Sequence, residues 1–190
     1  ALLAAAMCLS MAACGSKPAA DNGSSDTDAS AGDNTARKYT IGVCQLVTHD
    51  ALDAATQGFI DAVQEKLGAD NVDISVQNAA NDQNVCTTIV NTFVSQKVDL
   101  IMANATPSLQ AAYNATTEIP ILGTAVTEYG VALGLKDFNG TVGGNVSGTS
   151  DLAPLTEQAD MILELFPEAK TVGLLYCSAE PNSEYQVQVV

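Results

Sequence analysis

The 190-residue sequence holds one histidine, His49, and five cysteines, and none of them stands in a pattern that marks a reactive centre. No Ser or Cys occupies a nucleophile-elbow motif. Gly140 to Gly148 is glycine-rich, yet it lacks both the GxGxxG spacing and a Gly-Lys-Ser/Thr phosphate loop, and reads as a strand and a hinge. Small polar residues gather in turns instead: Thr48-His49, Asn78 with Asn81-Asp82, Asn104-Ala105-Thr106, Thr124 with Thr127, Thr149-Ser150-Asp151, and Ser178 with Glu180, Asn182 and Ser183. Hydroxyls, carboxamides and free backbone amides suit reversible capture of a small polar molecule better than bond-making chemistry. The expectation is a binding protein with no catalytic residues, no metal and no cofactor.

Each of these turns follows an apolar run, and the runs say how they are positioned. Val98 to Met102 reads as a buried strand, with Thr106 as the N-cap of a following helix and Pro107 at its first position. At the carboxyl end of a parallel strand, the amides of Ala105, Thr106 and Ser108 could face an anion such as a carboxylate. An ordinary strand-to-helix turn is the alternative. Tyr39 to Val47 reads as a strand buried on both faces, and Leu52, Ala55, Phe59, Ile60, Val63 and Leu67 recur at helical spacing up to Gly68. Strands over Val72 to Val76, Ile119 to Leu122, Thr141 to Val146 and Thr171 to Tyr176 alternate with helical stripes from Val85 to Val94, Pro107 to Thr116 and Leu155 to Phe166. Such alternation calls for an α/β fold with a doubly wound parallel sheet, all the polar turns lying along one edge. His49 is either a ligand contact or a helix cap, and Asp151 either an N-terminal helix carboxylate or part of the site.

Composition narrows the partners. Against 7 Lys and Arg stand 22 Asp and Glu, a formal net charge of -15 with no basic cluster, which disfavours nucleic acid and anionic lipid headgroups. Residues 1–14 form a short apolar leader ending Met11-Ala12-Ala13-Cys14, too short to span a bilayer but suited to a signal-peptide core. The small pair before Cys14 resembles a bacterial lipobox, in which the cysteine is lipidated. An ordinary signal peptide cut near Ala4 to Ala6 is the alternative. Residues 15–38 are dominated by Ser, Gly, Ala, Asp and Asn and read as a disordered tether. Cys44, Cys86 and Cys177 fall in the folded part at no metal-ligand spacing and read as buried free thiols. The missing initial Met and the helical end at Val190 suggest a piece of a longer protein.

The succession of turns resembles the substrate-binding lipoproteins of ABC importers, in the tryptophan/tyrosine-type branch. The matching stretches are the lipobox and tether, Tyr39 to Asp53, Gln77 to Asp82, Ala103 to Pro107, Gly123 to Thr127, Asn145 to Asp151 and Gly173 to Ser183. The resemblance implies a two-lobed periplasmic-binding-protein-like type I fold, with residues 39–149 as the first lobe and 150–190 beginning an incomplete second. It implies an extracytoplasmic, lipid-anchored monomer that holds a small solute between its lobes, often an aromatic amino acid, and delivers it to a permease and its ATPase. The ligand-facing residues would be His49, Asn104, Ala105, Thr106, Thr124, Thr127, Ser150, Asp151, Glu180 and Asn182. The amides near Ala105 and Thr106 would take the carboxylate and Asp151 the ammonium. A membrane-tethered sensory or enzymatic α/β domain is the competing expectation.

Overall fold

The structure, a computed structural model, describes residues 37–190; the leader, Cys14 and nearly all of the tether lie outside the described residues. Among the described residues five strands and six α-helices alternate up to α5: β1 Tyr39–Gln45, α1 Asp50–Leu67, β2 Val72–Asn78, α2 Gln83–Gln96, β3 Leu100–Asn104, α3 Thr106–Ala115, β4 Ile121–Val126, α4 Tyr129–Leu133, β5 Val146–Ser150, α5 Leu155–Leu165 and α6 Pro181–Val189. The strands form one sheet in the order β2-β1-β3-β4-β5, and all four pairings are parallel.

Alternate strand residues feed two cores. Cys44, Ile101, Ala103 and Ile121 join Phe93, Leu109 and Tyr129 beneath α2, α3 and α4. Ile41, Val43 and Met102 pack on the opposite face against Phe59 and Val63 of α1. Helices on both faces make the sheet doubly wound, as the alternation of runs requires. Gly42 is fixed by this packing, because a Cβ there would lie 2.5 Å from the Phe93 ring. At the amino edge, the Asp99 carboxylate accepts the Thr40 amide at 2.8 Å and the Thr40 hydroxyl at 3.1 Å, and pairs with Arg37.

The strand order places a topological switch between β1 and β3. From β1 the chain crosses by α1 to β2 on one side; from β2 it returns by α2 to β3 on the other. The two connections leave the sheet in opposite directions and open a crevice at the carboxyl ends of β1 and β3, where ligands bind in open α/β sheets.

Four sequence expectations are corrected. The last strand is Val146–Ser150, not Thr141 to Val146: Gly143 (φ 78°) and Gly144 (φ 60°) turn the chain before it. Thr171 to Tyr176 forms no strand. Among the described residues no strand pairs with it, and Leu175 is fully exposed. The turn at Ser178 to Ser183 therefore does not follow a strand. Cys177 is exposed, whereas Cys44 and Cys86 are buried free thiols. The short α4 has no counterpart among the expected elements. Among the described residues, no helix is long and apolar enough to cross a membrane.

Candidate functional site

The register assembles a polar row across the carboxyl edge. Asn78 pairs with Gln45, Gln45 with Asn104, and Asn104 with Thr124, so four polar side chains from four strands share the α1 face. Thr149 of β5 extends the row, its hydroxyl 3.3 Å from that of Thr124.

At the centre of this row β3 passes directly into α3. The helix begins at Thr106, and Ala105 takes the cap position with φ 87° and ψ 158° and no side-chain cap. Thr106 is therefore not the N-cap that the sequence suggested. An L-residue in this glycine-favoured region costs about 1–3 kcal/mol, and such residues cluster at binding sites. The Ala105 amide donates to the Thr124 carbonyl at 3.0 Å, which holds the strained turn and removes that amide from the expected anion contacts. The first helical bond runs from Leu109 N–H to the Ala105 carbonyl, leaving the Thr106 and Ser108 amides without partners in the helix; Pro107 has none to offer. The Thr106 hydroxyl is buried beside them and makes no hydrogen bond. Two amides, a hydroxyl donor and the positive end of a helix dipole are together groups that can receive a carboxylate.

The other expected residues are placed separately. His49 caps α1, its Nδ1 accepting the Ala51 amide at 3.2 Å, so the structure gives it the capping role. Ser150 donates to the Thr127 carbonyl at 2.6 Å, tying β5 to the loop after β4. Asp151 is not a helix-terminal carboxylate, since α5 begins at Leu155 with Pro154 at its cap. It lies instead beside Tyr129. The Tyr129 hydroxyl, which donates to the Thr149 carbonyl at 3.1 Å, is pushed up to about 12, first by burial and then by the Asp151 charge. Glu180 and Asn182 sit at the start of α6, which packs against α4, and Asn182 Oδ1 is buried without a donor.

Several residues escape a reading of the sequence alone. Gln45 and Thr56 are buried polar side chains on the α1 side of the site. The signal is present: Thr56 interrupts the apolar stripe of α1 between Leu52 and Phe59, and Gln45 interrupts the β1 run. Beneath α3, the thiols of Cys44 and Cys86 each lie 3.6 Å from the Ser108 hydroxyl. The hydrogen bond with Cys86, together with burial, holds the Cys44 thiol above its ordinary range.

Comparison with known proteins bears on the family and the fold. A family model described as ABC transporter substrate binding protein matches residues 40–190. A tyrosine-binding protein of Clostridioides difficile (strain R20291) is 43% identical over 169 residues, covering 88% of this chain and 49% of that protein. Among solved structures, an ABC domain in complex with L-Trp from Streptococcus pneumonia is 36% identical with a TM-score of 0.74, over 80% of this chain and 52% of that one. The ligand-free, open structure of a substrate binding protein with adhesive properties from Clostridium difficile is 46% identical with a TM-score of 0.62, over 79% and 51%. The chain thus spans about half the length of these relatives. The parallel sheet is the sheet of a periplasmic-binding-protein-like type I fold, and the family is one of solute-binding proteins rather than enzymes. With its switch-point crevice and with a family model matching from β1 to its last residue, the chain belongs to the ABC transporter substrate binding proteins.

Proposed function

We propose that this chain is the ligand-receiving first lobe, with the beginning of the second, of an extracytoplasmic receptor that captures an amino acid for an ABC importer. One observation carries the reading. At the switch point, the N-terminus of α3 presents a buried, unpartnered Thr106 hydroxyl beside two free amides, a seat for an α-carboxylate. Asp151, on the same edge, is the counter-charge for the ammonium, with Thr124, Thr127 and Ser150 beside it. A zwitterion then meets opposite charge at both ends. The relatives named for tyrosine and solved with L-Trp favour an aromatic amino acid.

In this reading residues 39–149 are one lobe and residues from 150 onward enter another, which closes over the solute before delivery to the permease and its ATPase. A lipid on Cys14 and the tether at 15–38 keep the monomeric receptor at the membrane surface. The test is calorimetry on the full-length receptor with a panel of amino acids. Asp151→Asn should weaken binding by about 1.5–3 kcal/mol, the value of a hydrogen bond to a charged group. Unchanged affinity would remove Asp151 from the site, and no binding by the unmutated receptor would overturn the amino-acid assignment.

A further inference from the structure

We infer that Thr56 and Gln45 are positioning residues, which orient the Asn104 carboxamide so that its oxygen accepts a hydrogen bond from the ligand's ammonium group. The inference rests on the amino-acid reading above and assigns it a second acceptor besides Asp151.

Hydrogen-bond polarity carries the argument. Gln45 Nε2 donates to the Val47 carbonyl at 2.9 Å and to the Asp53 carboxylate, and both of these only accept. That fixes the Gln45 amide with Oε1 facing Thr56, whose hydroxyl donates to it at 2.6 Å. Having spent its one hydrogen, the Thr56 hydroxyl can only accept from Asn104, and Asn104 Nδ2 reaches it at 2.9 Å. The same Nδ2 donates to the Leu52 carbonyl at 2.8 Å, a second group that cannot donate. The chain of donors therefore runs one way, from Asn104 through Thr56 and Gln45 to Asp53, and the alternative flip of Asn104 would set oxygen against oxygen at Leu52.

One atom remains at the end of this chain. Asn104 is wholly buried and its Oδ1 has no donor. An acceptor buried without a partner is costly, and a network of four side chains maintains the arrangement. Asn104 immediately precedes the strained Ala105 and lies two residues before the carboxylate seat at Thr106. An acceptor two residues along the chain from the seat suits an α-amino acid, in which the ammonium and carboxylate share one carbon. The α3 amides only donate, and the Thr106 hydroxyl spends its one hydrogen on the carboxylate; Asn104 Oδ1 supplies the complementary acceptor.

The experiment measures affinity for L-tyrosine and for its desamino analogue, 3-(4-hydroxyphenyl)propionate, in the full-length receptor. The variants are Thr56→Val, Thr56→Ser, Asn104→Ala and the Thr56→Val/Asn104→Ala double mutant, each first shown to melt cooperatively. Thr56→Val should weaken tyrosine binding on the order of tenfold, as expected for one misplaced charged hydrogen bond. Thr56→Ser should restore it, and Thr56→Val should add nothing in the Asn104→Ala background, because Thr56 acts only through Asn104. The desamino acid should lose nothing. Additive losses, equal losses for both ligands, or no loss in Thr56→Val would each overturn the inference. An unmutated receptor that binds neither compound would overturn the ligand reading and this inference together, an outcome distinct from the other three.

Discussion

The edge of the site rests on a pair of glycines that cannot be enlarged equally. Gly123 of β4 and Gly148 of β5 are paired in register, and Tyr129 of α4 lies across them. A Cβ on Gly148 would sit 2.1 Å from the Tyr129 hydroxyl oxygen, but also 2.3 Å from the Gly123 carbonyl oxygen and 2.8 Å from the Gly123 nitrogen. The first contact can be relieved by moving a side chain; the other two require the strands to separate. The three atoms nearest a Cβ on Gly123 all belong to Tyr129, the hydroxyl at 2.5 Å and two ring carbons at 3.2 Å. Overpacking costs about 1–3 kcal/mol, and Gly148→Ala belongs at or above the upper end because backbone must yield. Gly123→Ala belongs lower, and Tyr129→Phe alone should cost about 1 kcal/mol for its lost bond to the Thr149 carbonyl. Urea unfolding of the single and double variants separates the two cases. Tyr129→Phe should rescue part of the Gly123→Ala loss, with a coupling of about 1 kcal/mol, and none of the backbone part of the Gly148→Ala loss. Gly148→Ala within about 0.5 kcal/mol of the parent, or equal rescue at both positions, would refute the reasoning. Since Thr149, Ser150 and Asp151 follow directly, Gly148→Ala should also weaken ligand binding.

Thr106→Val should stabilise the ligand-free protein while weakening carboxylate binding, because the buried hydroxyl has no partner until a ligand supplies one; melting and calorimetry on the same preparation check both signs. Gly58, in the middle of α1 with nothing within 4 Å of the place a methyl group would take, should gain about 1 kcal/mol on replacement by Ala, read by urea midpoint. Among the described cysteines, a thiol reagent added to native protein should modify Cys177 alone, with Cys44 and Cys86 reacting only after unfolding, as mass spectrometry of the labelled peptides would show.

The sheet is legible in the sequence because β1, β3 and the stripes of α1 and α2 carry continuous or helically spaced apolar residues. Where the sequence misleads, neighbours decide. Thr171 to Tyr176 has the composition of a strand, but among the described residues no strand pairs with it, and composition does not report a missing neighbour. β5 is displaced along the chain from its expected place because only Val146 of its five residues is buried; an edge strand with one covered side chain leaves little pattern. The five residues of α4 are too few to show a stripe. Within the site, Asn104 to Ser108 stand out as polar residues stopping an apolar run, and Pro107 marks the helix start. Nothing in an alanine announces the dihedral angles of Ala105, which follow from the tie to Thr124. Gln45 and Thr56 look like blemishes in apolar patterns, since their meaning lies in contacts between β1, α1 and β3 that no local spacing encodes.

The turn from Asn104 to Thr106 also bears on how this protein would respond to laboratory selection. It combines an unfavourable backbone conformation with two buried polar atoms left unpartnered. On the proposed reading, Ala105→Gly would ease the resting protein, and Thr106→Val would do so while eroding its grip on a solute. A library screened only for heat resistance would therefore drift towards robust variants that bind poorly, and retention of function would have to be imposed as a separate selection.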